Sequence, residues 1–205
     1  MAPYKGAQIP KSPFNSIICL LERTSGFHMD DHRDKIVYNL HVFADNFQFQ
    51  LQDQIEDCEY PEYWNDALLT QLFVSGNRIV GIGTVRDLDI DLTLEIYADP
   101  MDEKQLEEEP DVSHCDHAAQ TNLELPSGKL LITGCTTDYE ETIKLDLPAQ
   151  YYGVRIFWQE LDSIDELGFE GEDKYLIQLW PNTYFEEGVI KLWRQLALQS
   201  QSHNN

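Results

Sequence analysis

The feature that most limits the possible folds of this chain is a period of two in its apolar residues. From Leu88 to Ile96 every second residue is apolar, and the residues between them are threonine or acids. The segment 46–52 repeats the pattern with phenylalanine, leucine and glutamine. Because successive side chains of a strand point to opposite faces, this pattern predicts strands with one buried and one solvated face.

Short segments of this kind, separated by turn residues, run through most of the chain. We pair 36–43 with 46–52, and 78–85 with 88–97, as hairpins joined by short polar turns. A short helix or irregular turn is predicted at 64–73. Many short strands with little helix predict an all-β fold, an antiparallel β-sandwich. The predicted strands lie at 17–21, 36–43, 46–52, 78–85, 88–97, 122–125, 129–133, 142–147, 151–158 and 173–180.

The two ends of the chain differ from this β domain, which we place at 17–181. Residues 1–16 contain three prolines and predict a flexible N-terminal arm. The sequence Thr183–Glu186 has the form of a capping box, and apolar residues follow it at helical spacing. We therefore predict a C-terminal amphipathic helix within 182–199, packed on the sandwich or on a partner, and a polar tail at 200–205.

The charge of the chain restricts its partners. There are 37 acidic residues against 14 lysines and arginines, which gives a formal net charge of −23. Such a chain lacks the clustered cations that bind nucleic acid phosphates or an anionic membrane surface. It favours a basic partner, although acidity that serves solubility alone is an open alternative.

Three stretches concentrate the acids, at 53–66, at 99–111 and between the two closing strands. The last of these, residues 160–173, contains no lysine or arginine, and we call it the acidic loop. It is the preferred contact site, because it lies between the two closing strands, and these strands are also the ones whose sequence resembles a known family. The predicted partner-binding residues are Glu160, Asp162, Asp165, Glu166, Glu170, Glu172 and Asp173 in this loop, with Glu107, Glu108 and Glu109 in the preceding run.

No motif for catalysis or for a cofactor is present. The chain lacks a nucleophile elbow, a phosphate-binding loop, a zinc-protease motif and a dinucleotide fingerprint, so we predict neither an enzyme nor a cofactor. Residues 114–117 and 28–32 combine histidine with acids or cysteine, and whether the first cluster binds a metal stays open. Tryptophans on apolar segments predict core packing rather than a sugar platform. Four dispersed cysteines and no visible export signal predict reduced thiols and a cytoplasmic protein.

The closing strands carry a resemblance to a known family. The segments Ile143–Ile156 and Asp173–Pro181, with a Leu-Pro corner before one strand and a Tyr-Leu-Ile-Gln-Leu-Trp-Pro sequence in the other, resemble the competence protein J family. The resemblance covers about residues 36–181, and Gln150 replaces an expected glycine. It implies a small acidic protein that inhibits a DNA-degrading nuclease by binding it.

Two functions follow from these observations. The first is a non-enzymatic inhibitor or immunity protein whose acidic loops bind a basic protein, a nuclease or nuclease toxin. The second is a β-sandwich that binds a carbohydrate or a calcium-linked ligand.

Overall fold

The computed structural model describes residues 19–20, 34–55, 66–101, 110–182, 184 and 186–195. These residues are mostly strand, with a short helix, α1 (Asp66–Gln71), and helical residues at 194–195. The all-β prediction is confirmed. The strands are β1 (Cys19–Leu20), β2 (Lys35–Phe43), β3 (Gln48–Asp53), β4 (Phe73–Gly76), β5 (Ile79–Gly83), β6 (Asp89–Tyr97), β7 (His117–Leu125), β8 (Lys129–Gly134), β9 (Ile143–Asp146), β10 (Gln150–Gln159), β11 (Lys174–Pro181) and β12 (Gly188–Lys191).

The strands form two sheets. The larger sheet has the order β1-β2-β6-β11-β10-β7-β12, and the smaller has the order β4-β5-β3-β8-β9. All neighbours are antiparallel except β6 and β11, which run parallel over Asp91–Ile96 and Lys174–Leu179. β11 therefore joins a group of strands from the first half of the chain to a group from the second half.

The two predicted hairpins are wrong. β2 lies in the larger sheet and β3 in the smaller, and β5 and β6 are divided in the same way. The intervening residues are corners between the sheets, and the first of them contains two residues at positive φ, Asn46 and Phe47. The two corners bond to each other through Thr84 N to Phe47 O at 2.8 Å and Ala44 N to Leu88 O at 3.0 Å. The predicted pairing of the two closing strands, β10 and β11, is observed in full register.

The core lies between the sheets and draws on the alternate residues of both. Phe49 and Leu51 of β3 and Leu92 and Leu94 of β6 are all buried in it. Trp158 is also fully buried, and its indole N–H donates to the Gly83 carbonyl at 2.8 Å. The alternation in the sequence thus marks the inner face of each sheet correctly.

The predicted C-terminal helix is wrong for residues 188–191. These residues form β12, which pairs with β7 at the edge of the larger sheet. Without β12 the edge of β7 would expose a row of unpaired backbone groups, and pairing with them stabilises four residues more than one isolated helical turn would. Residues 196–205 and the arm at 1–16 lie outside the described part of the chain.

No helix among the described residues has the length and apolar character needed to cross a membrane.

Candidate functional site

The acidic loop connects β10 to β11 and begins with a 3₁₀ turn, Leu161–Ser163. Leu161 is 2% exposed, and its N–H donates to the Asp116 carboxylate at 2.8 Å. One apolar residue of the loop therefore reaches the core and fixes the start of the loop there. The residue before it, Glu160, has a positive φ of 55° and is exposed.

The carboxylate of Asp162 ties the loop to the segment after β12. It accepts the indole N–H of Trp193 at 3.1 Å and the side-chain amide of Gln195 at 2.8 Å. Trp193 is itself 9% exposed and belongs to the core. A buried anchor therefore holds an exposed carboxylate in one position.

The middle of the loop is a closed turn from Asp165 to Glu170. The Asp165 N–H donates to the Glu170 carbonyl at 2.8 Å, and its carboxylate accepts the N–H groups of Phe169 at 2.8 Å and Glu170 at 3.2 Å. These bonds, those from Glu170 and Phe169 foremost, lower the pKa of Asp165 below its ordinary value. Gly168 takes the positive φ of 75° that completes the turn.

The end of the loop is fixed by a buried ion pair. The Asp173 side chain has no exposure, and it accepts hydrogen bonds from the Arg86 guanidinium, with the Nε contact at 3.0 Å, and from the Tyr175 hydroxyl at 2.9 Å. Arg86 also donates to the Gly171 carbonyl at 2.6 Å. Burial, followed by the negative charge of Asp173, raises the pKa of Tyr175 well above its ordinary value, so this hydroxyl stays a donor.

The sequence-predicted contact residues fall into three groups. Six of them are exposed on the ordered loop. Asp173 is in the interior, so it positions the loop and cannot meet a partner directly. Glu107, Glu108 and Glu109 lie outside the described residues. The six exposed acids are Glu160, Asp162, Asp165, Glu166, Glu170 and Glu172.

Two apolar residues of the loop were not selected from the sequence. Leu167 and Phe169 flank Gly168 at the tip and are 74% and 50% exposed. A Cβ added to Gly168 would lie 3.8 Å from the ring of Phe47, and Phe47 is 51% exposed. The sequence shows that these large apolar side chains lie in an acidic loop, but it does not show whether they reach the core or remain in water.

Three residues of the cluster at 114–117, all but His114, serve the fold. His117 is fully buried, its Nδ1 accepts the Trp193 N–H at 3.2 Å, and its Nε2 therefore carries the proton donated to the Gln71 carbonyl at 2.8 Å. Burial lowers the pKa of His117 to about 4. Asp116 bonds the acidic loop and Cys115 is buried beside Phe157, so these side chains have separate partners. Within the described residues, no three or more of His, Cys, Asp and Glu are grouped closely enough to hold a metal ion.

An open groove of about 460 Å³ lies on the outer face of the larger sheet. Its polar lining includes the pair His41 and Asp91, whose Nδ1 and Oδ1 are 2.8 Å apart, together with Lys174 and Gln159 beside the acidic loop. The tryptophans that the structure describes in full, Trp158, Trp180 and Trp193, are buried and offer no stacking platform to a sugar.

The described residues define a two-sheet β protein with an ordered acidic loop at one end. Its fold is similar to that of ComJ from Bacillus subtilis, described as the inhibitor of the DNA degrading activity of NucA. The TM-score is 0.52 at 10% identity, over 70% of this chain and 95% of ComJ. The resemblance to the competence protein J family is thus confirmed as a likeness of fold.

A second solved structure, described as Crocagin biosynthetic gene J, matches at a TM-score of 0.42 and 14% identity, over 73% of this chain and 99% of the other. This match is too distant to inform the fold or the function. No family model matches the chain, and no curated protein does.

Proposed function

We propose that this protein is a non-enzymatic inhibitor that binds a basic protein, a nuclease or nuclease toxin, through the acidic loop. The observation that carries this proposal is the set of six exposed carboxylates on a loop without lysine or arginine. A nuclease holds phosphates, so its cleft presents cations at the spacing of a nucleic acid backbone. A loop of carboxylates can occupy such a cleft in place of the phosphates.

The ordered structure of the acidic loop supports this function. Bonds from Asp116, Trp193 and Arg86 fix its start, its 3₁₀ turn and its end. A loop that is ordered before binding loses little conformational entropy in the complex, so more of the electrostatic attraction remains as affinity. The fold likeness to ComJ, a protein described as a nuclease inhibitor, agrees with the proposal.

The site of action in this proposal is the cytoplasm, where a nuclease of the same cell is held inactive until it is exported or released. Two free cysteines, Cys115 and Cys135, are compatible with a reducing compartment. An immunity protein that neutralises a toxin from a neighbouring cell uses the same physical contact.

Binding kinetics test the proposal. The first probes are NucA and any nuclease found to be encoded beside this chain, each assayed for DNA degradation with and without the protein. We expect inhibition, with an association rate that falls as salt is raised. If no basic nuclease of this panel is inhibited by the protein in excess, the proposed function is wrong.

A pair of charge variants locates the contact. Glu166→Gln with Glu170→Gln removes two exposed carboxylates of the loop, and Glu140→Gln with Glu141→Gln removes two between β8 and β9. Both variants have the same net charge. The loop variant should associate about tenfold more slowly at low salt than the control, since steering depends on where the charge lies. Equal rates would move the contact away from the acidic loop.

A second candidate function, binding of a small ligand, has the groove on the larger sheet in its favour, because its volume lies within the range of small-molecule sites. Thermal unfolding with and without calcium or a panel of oligosaccharides tests it. A ligand that binds the folded chain raises the melting temperature, and an unchanged melting temperature throughout would count against this function.

A further inference from the structure

Three large apolar side chains are exposed at or beside the tip of the acidic loop. Leu167 and Phe169 are on either side of Gly168, whose turn lies against the ring of Phe47 in the first corner between the sheets. Each of the three exposes half of its surface or more. We call this set the apolar tip. Apolar side chains in water contribute little to folding, and when they are grouped they mark an interaction site.

The backbone that carries Leu167 and Phe169 at the apolar tip is held in a fixed shape. The Asp165 carboxylate bonds the backbone of Phe169 and Glu170, and Arg86 bonds the carbonyl of Gly171. A Cβ on Gly171 would come within 2.8 Å of the Ile164 side chain, so the two arms of the loop are also packed tightly together. An apolar surface that is already in place buries area on binding without first paying to order itself.

The charges around the apolar tip indicate the kind of surface that it binds. Asp165, Glu166 and Glu170 are exposed in the same turn, and Asp87 lies beside Phe47, whose N–H points to its carboxylate at 3.4 Å. A second copy of this chain would bring these carboxylates against their own equivalents, with a net charge of −23 on each molecule. A surface with cations around an apolar recess has the complementary charge.

We propose that the apolar tip is a hydrophobic anchor, which inserts into an apolar recess bordered by lysine or arginine on the partner protein. This inference rests on the proposed function and adds the kind of surface that the partner must have. The carboxylates raise the rate of association, and the anchor slows dissociation. Protein interfaces commonly have this arrangement, in which a polar rim surrounds a few central apolar side chains.

Two peptides of equal length and equal lysine content test the anchor without knowledge of the partner. One alternates lysine with phenylalanine and the other alternates lysine with serine. Fluorescence anisotropy at moderate salt measures the affinity of each peptide for the full chain. We expect the phenylalanine peptide to bind about thirtyfold more tightly, which corresponds to one or two buried anchor side chains.

The matched variants are Leu167→Ala with Phe169→Ala at the apolar tip, and Tyr184→Ala as the control. Tyr184 is 69% exposed and follows the far end of β11, about 25 Å along the strand from the loop at 3.3 Å per residue. The tip variant should bind the phenylalanine peptide no more tightly than the serine peptide, and its affinity for the serine peptide should equal that of the wild type. The Tyr184 variant should keep both.

Each other outcome has a separate meaning. Equal binding of the two peptides to the wild-type chain overturns the anchor and leaves the electrostatic contact intact. Failure of both peptides to bind overturns the electrostatic contact as well, and with it the basis of the proposed function. A preference for the phenylalanine peptide that survives in the tip variant also overturns the anchor. Sedimentation that shows a wild-type dimer and a monomeric tip variant would assign the apolar tip to a second copy instead.

Discussion

The buried ion pair at the end of the acidic loop gives the sharpest test of how the loop is held. In Arg86→Met the chain keeps an aliphatic side chain of similar length, and the Asp173 carboxylate keeps the Tyr175 hydroxyl as a hydrogen-bond donor. The Gly171 carbonyl loses its donor as well. Removing one partner of a buried pair costs about 4 kcal/mol, because a desolvated charge is left uncompensated.

Urea unfolding followed by tryptophan fluorescence measures this cost. In a thermal unfolding experiment on a chain of this size, the same loss of about 4 kcal/mol should lower the melting temperature by roughly 10 °C. The matched control is Lys129→Met, which breaks an ion pair with Asp146 whose side chains are 53% and 88% exposed. The control should cost less than about 1 kcal/mol, because exposed pairs are screened by water.

A double variant separates charge from packing. In Arg86→Met with Asp173→Asn the buried group is neutral and still accepts from Tyr175, so the double variant should be more stable than Arg86→Met alone. The reasoning fails if Arg86→Met costs no more than the exposed control, or if the double variant regains nothing.

Two further predictions concern the interior. The free energy of unfolding should be at its full value above pH 6.5 and should fall by about 3 kcal/mol as the pH drops towards 4. The cause is that His117 binds a proton with its ordinary pKa of 6.5 in the unfolded chain, but with a pKa of about 4 in the folded chain. Urea titrations at several pH values should show this slope in the wild type and a smaller one in His117→Gln. Gly153→Ala should destabilise the fold by about 2 kcal/mol or more, since the new Cβ would come within 2.4 Å of the Trp180 ring. Gly188→Ala, with nothing within 4 Å of the new Cβ, is the control and should change the melting temperature little.

The strands were predictable because each is marked by local alternation, but their partners were not. A corner between two sheets and a hairpin within one sheet both read as two alternating segments joined by a polar turn. At 44–47 the deciding feature is tertiary, since Asp45 accepts the Thr136 N–H at 2.7 Å from a distant segment. The same limit applies at Val189, whose helical spacing with its neighbours is real but is overridden by pairing with Ala119 of β7.

The candidate site was predictable as a run of acids but not as a structure. Composition locates the loop, and nothing local distinguishes Asp173 from the acids before it. Its burial depends on Arg86, 87 positions earlier in the chain. Conversely, Leu167 and Phe169 resemble residues that reach the core, as Leu161 does, and only the fold shows that they remain in water.

The parallel pairing of β6 with β11 limits the order in which the larger sheet can form during synthesis. During synthesis β2 and β6 emerge early, whereas the strand that links them to β10 and β7 ends only at Pro181. At about 5–20 residues per second, the ribosome exposes the early strands for several seconds before that link exists. The nascent chain therefore holds an incomplete sheet with an open edge at β6, and its high negative charge keeps such chains apart until the last strands arrive.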